Sequence, residues 1–398
     1  MSSNNKNDIS NFNTEMLNLF TKLNENKTNI KLDEYDNNNF SCHMDMCSIL
    51  SALETIYNGT AGEKRKDLDE NTNLNNILKI IPKAAQYSRR GIFIRNDYNY
   101  YKSFTNLYEK EAYIGNIPQN EKEKDQINKL IEKKFPQWLD KEDFLQQLFV
   151  SRLILYIKNE SYFKIKSKYG KHADPDETRE SIFYCGEGKS RKVLMMECID
   201  VKIYNYYCKD IDTTFIYLNY KQDNNNNYKM FISMPMIPHT KQELIQFCQK
   251  NLNGDQIYKY MSKLKPVEYD IFLMPKFHSE CRWQLRECTD DDSYLSKLLD
   301  VNSMDFSNIA IDMKGNNNNN NLIELKIISK IDNDEFGLSL LPATEFDDPD
   351  MQECCYFFPY TLCLDKSFLY IIMNKENVIT NIGIFVGKDE EYYEDDVD

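Results

Sequence analysis

Two stretches carry residue types that could do chemistry. In Cys42-His43-Met44-Asp45-Met46-Cys47, two thiols and an imidazole lie within six residues, the raw material of a zinc site. The chain has only four histidines, no Cys-x-x-Cys pair occurs among its eleven cysteines, and these spacings match no standard zinc motif. They read as buried structural groups, and no metal or cofactor is assigned. Gly-x-Ser-x-Gly, the P-loop, Gly-x-Gly-x-x-Gly and His-Glu-x-x-His are absent, so no catalytic residue is assigned.

The second stretch is DNDEFGLSLLPATEFDDPDMQECCYFF, from Asp332 to Phe358. It opens like a turn, continues with a strand's alternation, holds Pro342 where a strand should not, and ends acidic and Cys-rich. It is both loop and potential strand. Cys354 and Cys355 read as ordinary exposed cysteines, with redox sensitivity or reaction with a thiol protease as the alternative.

The elements around these residues belong to an ordinary globular chain. A length of 398 residues allows two or three average domains or one large one, and 22 Phe with 27 Tyr supply a sizeable core. A net charge of −14 argues against a nucleic-acid partner, because phosphate binding needs a basic face. The basic runs Lys64 to Lys66 and Lys164 to Lys171 read as solvated faces. An odd cysteine count suits free thiols in a reducing compartment. The start lacks a secretory apolar region and no run of eighteen apolar residues exists, so the expectation is a soluble, leaderless, cytoplasmic protein with no membrane partner. Secretion by an unrecognised or missing leader is the alternative.

Helical spacing is present at Phe12, Met16, Leu19, Phe20 and Leu23, with Ser10 as the expected cap. Further helices are expected from Met46 to Tyr57, stopped at Gly59, then after Gly62, and between Lys122 and Phe135, where Ile127, Leu130 and Ile131 form a stripe. Thr240 and Glu243 make a capping box ahead of Leu244, Ile245, Phe247 and Leu252. From Leu148 the chain turns to strands, with asparagine runs read as expanded hairpin tips. Helices first, strands later and no Pro/Gly/Ser divider argue for one α+β domain over 1–388. Residues 389–398, seven of them acidic, read as a disordered tail.

From about Phe12 to Gly387 this series resembles the serpin family of serine protease inhibitors. The match is carried by Ser48, Ile49, Ala52, Leu53, Gly59 and Gly62; by Ile127 and Asn128; by Met234-Pro235; by Pro275-Lys276-Phe277; by Asp305-Phe306-Ser307; and by Phe368 and Gly383. The resemblance implies a helical N-terminal part packed on large mixed and antiparallel sheets, with an exposed reactive-centre loop at about 335–360. It implies no turnover, but inhibition of a serine-type endopeptidase by suicide-substrate trapping: the protease cuts the loop, is held as an acyl-enzyme, and the loop's N-terminal part inserts into the large sheet. Serpin loop insertion is a standard example of strand addition. A non-inhibitory serpin-fold binding protein and a cysteine-protease inhibitor are the alternatives, and a monomer is expected.

By that resemblance the hinge is Glu335, Gly337 and Leu338. Inhibitors of the family usually follow the hinge with small residues, whereas this chain has Leu338-Ser339-Leu340-Leu341-Pro342. In an inserted strand, Leu338, Leu340, Pro342, Thr344 and Phe346 share one face. Burying Leu338, Leu340 and Phe346 contributes roughly 1.5–3 kcal/mol each, and the carbonyl left unpaired by Pro342 costs about 1–3 kcal/mol. Insertion is therefore expected to be downhill but slow. Counting forward from Gly337 puts the cut at Met351-Gln352; counting back from Phe368 puts it at Tyr356-Phe357. With no Lys or Arg between Lys330 and Lys366, the implied partner is a chymotrypsin-like or elastase-like protease. The family's tryptophan near Ser161 and Tyr162, and its histidine in the strand before the hinge, are missing.

Overall fold

Every residue of Phe368–Met373 and Ile379–Phe385 is buried, which is why the sequence shows apolar runs there instead of alternation: both faces of these strands are covered. The structure is a computed structural model that describes residues 3–25, 41–70, 87–138, 142–146, 153–164, 171–221, 227–284, 305–310, 313, 322–335, 339–342 and 360–387. Its helices are α1 (Ser3–Glu25), α2 (Met46–Gly59), α3 (Gly62–Glu70), α4 (Lys102–Tyr108), α5 (Glu121–Lys134), α6 (Lys241–Asn251) and α7 (Gly254–Met261). Its strands are β1 (Cys42–Asp45), β2 (Tyr87–Ile94), β3 (Tyr113–Asn116), β4 (Leu153–Lys164), β5 (Lys171–His172), β6 (Arg179–Tyr184), β7 (Ser190–Cys208), β8 (Thr213–Lys221) and β9 (Asn227–Pro235). They continue with β10 (Lys265–Pro275), β11 (Phe277–Gln284), β12 (Leu322–Asn333), β13 (Ser339–Pro342), β14 (Thr361–Cys363), β15 (Phe368–Met373) and β16 (Ile379–Phe385).

Two sheets result. A five-stranded sheet has the order β11-β12-β4-β2-β3, and a larger one runs β1-β16-β15-β9-β8-β7-β10-β14, with β6 and β13 on β7 and β5 on β13. One core joins α1, α2 and α6 to both sheets. The expected helical third also contains β1, β2 and β3, because short apolar stretches such as Gly91–Ile94 gain both ladders and burial between neighbours.

Local differences have local causes. The first helix begins at Ser3, not at a Ser10 cap; the Ser10 hydroxyl instead donates to Asp255 at 2.6 Å and ties α1 to α7. On α5, Ile131 is buried and Ile127 packs beside it, but Leu130 is 52 % exposed, since the buried face centres between Asn128 and Ile131. The first asparagine run does lie between paired strands, β8 and β9. The second precedes β12, separated from β11 by residues 285–321 and therefore no simple hairpin tip.

The capping box of α6 forms as expected, with the Thr240 hydroxyl accepting from the Glu243 amide and the Glu243 carboxylate accepting from the Thr240 amide. Thr240→Ala is expected to lower stability by about 1 kcal/mol, read as a shift of the urea midpoint at constant slope.

Candidate functional site, the sheet joint and the loop hinge

β12 and β4 lie side by side at the centre of the five-stranded sheet and are parallel, in continuous register from Ile323 opposite Leu155 to Asp332 opposite Lys164, after a one-residue shift at Leu322. On either side the pairing is antiparallel, β11 with β12 and β2 with β4. The central joint is thus a parallel seam between two antiparallel pairs, with the edge strand β3 parallel to β2. Parallel ladders are slightly weaker per residue than antiparallel ones.

From below, α2 fastens the seam through its N-cap. The Asp45 carboxylate accepts from the amides of Cys47 and Ser48 at 2.8 and 3.3 Å, while the Asp45 amide donates to Ser329 Oγ of β12 at 3.0 Å. Asn159 of β4 donates to the Ser48 carbonyl at 2.7 Å, and the Ser161 hydroxyl reaches the Ile328 carbonyl at 3.4 Å across the seam. Burial pushes the Asp45 carboxyl up, against hydrogen bonds from Ser161, Ser48 and Cys47 that favour the anion. On the other face, near the end of β12, the Tyr162 hydroxyl of β4 donates to Asp332, whose other oxygen faces His278 Nδ1 of β11. Burial, with Asp334 adding repulsion, pushes Asp332 up to about 6.

Two residues beyond β12, Glu335 is buried at 5 % exposure. Its carboxylate accepts from Thr178 Oγ1 at 2.8 Å and from Lys276 Nζ at 3.0 and 3.2 Å. Burial pushes this carboxyl up, but a backbone amide, Lys276 and Thr178 together hold it below the ordinary glutamate range. The loop's distal end is fixed by β14, parallel to β10 from Thr361 to Cys363.

Of the sequence-expected hinge residues, Glu335 is therefore tied to the corner between β10 and β11. Gly337 and Leu338 lie outside the described residues, as do Met351, Gln352, Tyr356, Phe357 and the acidic tail. Sequence reasoning missed the partners. Lys276 was legible only as part of Pro275-Lys276-Phe277, and no local signal links it to Thr178, nearly a hundred residues away. In β4 the Tyr162 hydroxyl donates to Asp332, and in β12 the Ser329 hydroxyl accepts from the Asp45 amide.

With β12 and β4 paired, the five-stranded sheet is closed at its seam. The chain matches the family profile described as Serpin (serine protease inhibitor) over residues 16–388, and it belongs to that family. It is similar to a serine protease inhibitor of Rattus norvegicus, 24 % identical over 275 residues covering 69 % of this chain and 60 % of the relative. It is likewise similar to Alpha-1-antitrypsin of Meriones unguiculatus, 24 % identical over 309 residues covering 75 % and 66 %. The matches thus span less than two thirds of these relatives' lengths. Among solved structures, mouse protein-Z dependent protease inhibitor superposes with a TM-score of 0.68 at 19 % identity, over 97 % of this chain and 98 % of that one. An Arabidopsis serpin in its native stressed conformation gives 0.68 at 17 % identity over 97 % and 99 %. At these identities the structural likeness shows the fold.

Proposed function

We propose that the protein inhibits a chymotrypsin-like or elastase-like serine protease as a suicide substrate. The observation that carries this reading is the parallel seam with its hinge. A segment that follows β12 through a tight turn runs antiparallel to β12, and therefore antiparallel to β4 as well. Inserting it replaces one parallel ladder by two antiparallel ones. The protease serine attacks the scissile carbonyl at Met351-Gln352 or Tyr356-Phe357, the C–N bond breaks, and the amine leaves with the C-terminal piece while the N-terminal piece stays esterified to the protease. Insertion then drags the esterified protease along with the loop.

The test is incubation with chymotrypsin-like and elastase-like proteases, followed by denaturing electrophoresis and mass spectrometry of the released peptide. A complex stable to SDS supports trapping, and the peptide mass assigns the cut bond. Clean cleavage with no complex at any protease ratio would sink the proposal.

A second reading, a non-inhibitory serpin whose loop is cut without trapping, is favoured by one sequence feature, Pro342 in the segment that would insert. Proline removes a ladder donor, and one ladder bond contributes about 1 kcal/mol, roughly fivefold in a rate ratio. Pro342→Ala is accordingly expected to raise the ratio of complex to cleaved product several-fold, measured by densitometry. An unchanged ratio would show that the proline does not limit trapping.

A further inference from the structure

Both ends of the loop are held by one pair of strands in the larger sheet, on opposite edges of it. β7 and β10 are antiparallel partners between Met195 opposite Pro275 and Asn205 opposite Lys265. On the outer edge of β10 lies β14, and just ahead of it Tyr360 is fixed: its amide donates to the Asp270 carboxylate at 2.6 Å, its carbonyl accepts from the Asp270 amide at 3.0 Å, and its ring stacks on Tyr269 at 4.8 Å. The outer edge of β7 is covered by β6 as far as Met195 and by β8 from Tyr204 onward. In the interval between them β13 is seated, with Leu341 opposite Lys202 and Pro342 opposite Val201. The first half of β13 is paired with β5, Ser339 opposite His172 and Leu340 opposite Lys171. All four residues of β13 thus have strand partners outside the five-stranded sheet.

We infer that residues 339–342 are a parked strand: at rest β5 and β7 hold the proximal end of the loop, and this pairing has to break before the same residues can pair between β4 and β12. The inference rests on the proposed reading of the loop as an inserting segment. A residue's backbone groups serve one ladder on each side, and a strand between β4 and β12 uses both sides, so the two placements exclude each other. Parking also covers backbone groups that would otherwise be a free edge between β6 and β8, a template for pairing with another chain. It accounts for the proline as well. Pro342 ends a short strand at the margin of the larger sheet, where a missing donor is tolerated, whereas between β4 and β12 it would sit in a central strand. β7 is shaped for the contact: Asp200, directly before the two paired residues, has a left-handed φ of 51°, and Ile199 and Asp200 are both exposed, so inside–outside alternation restarts at Val201.

The test uses the full chain. In hydrogen–deuterium exchange of the uncut protein, the amides of Ser339, Leu340 and Leu341 are expected to exchange at least tenfold more slowly than an unstructured peptide of the same sequence; exchange at the free-peptide rate overturns the inference. The double variant Leu341→Cys/Lys202→Cys, made at the cost of one surface ion pair with Glu268, is expected to form a 341–202 cross-link on mild oxidation, identified by mass spectrometry and absent from either single variant. Failure to form it also overturns the inference. With the link closed, protease cleavage of the loop is expected to leave thermal stability unchanged, while after reduction the same cleavage raises it. An equal rise in linked and reduced protein overturns the requirement for release. Slow exchange and an efficient cross-link, with no rise in either form, leave the parked strand standing and overturn the insertion reading.

Discussion

Replacing Glu160 by glutamine is expected to cost the fold about 3–5 kcal/mol, the range for removing one partner of a buried ionic group. Glu160 of β4 is buried between two cations: one carboxylate oxygen meets Arg89 Nε of β2, and the other meets Lys158 Nζ at 2.5 Å. All three side chains are less than a tenth exposed. Arg89 also donates to the Glu142 carbonyl at 3.0 Å and lies 4.6 Å over the Trp138 ring, and Lys158 donates to the Phe144 carbonyl. Burial pulls the Lys158 ammonium down from its ordinary value and Glu160 opposes that pull, so without the carboxylate two buried cations face each other. A lower urea midpoint at constant slope checks the expectation. Replacing Arg89, Lys158 and Glu160 together by apolar residues of similar volume is expected to recover most of the loss, because the cost arises from stranded charge and not from lost attraction. A Glu160→Gln protein as stable as the parent would mean that these charges are hydrated.

The same group shows what the sequence could and could not say. Apolar runs marked β8, β9, β12, β15 and β16, and helical spacing marked α1 and α2, because burial of one face or of both leaves a local pattern. β7 was not legible. Its stretch Ser190–Cys208 mixes Lys, Arg, Asn and Tyr with apolar residues, and its alternation breaks at Asp200, so its identity as a strand depends on four different neighbours. Lys158, Asn159, Glu160 and Ser161 in the middle of β4 look like a polar turn from sequence alone, yet all four are buried. Their partners come from β2, β12, α2 and the 142–146 segment, and no short-range rule connects them. For the candidate site, Glu335 was singled out only by resemblance to the family's hinge pattern. Its fastening to Lys276 and Thr178, and the seam above Asp45, are long-range contacts that appear only once the sheet is assembled.

Replacing Glu335 by glutamine is expected to release the hinge, at a cost of about 1–3 kcal/mol for a buried, hydrogen-bonded carboxylate that loses its charge partner. The loss should be local: faster hydrogen exchange at the end of β12 and around Lys276, with the core unchanged. Its larger consequence is kinetic. If breaking these contacts precedes opening of the seam, each 1.4 kcal/mol speeds irreversible loss of the closed form on warming by about tenfold. The half-life at fixed temperature measures it, and an unaltered half-life would place the opening step elsewhere. Acid separates two contributions of opposite sign. Glu335 has a folded-state value depressed below the ordinary 4.5, so the stability it adds is present above 4.5 and is lost as pH falls through the depressed value. Asp332, raised from 3.8 to about 6, contributes stability that is full below 3.8 and lost as pH rises through 6; the proton it takes up lies toward His278 Nδ1 on one side and the Tyr162 hydroxyl on the other. Glu335 has regained nearly all of its contribution by 4.5, while Asp332 begins to lose its own above 3.8, so the closed seam should last longest at about pH 4. Asp332→Asn should remove the decline above that maximum, and Glu335→Gln the decline below it.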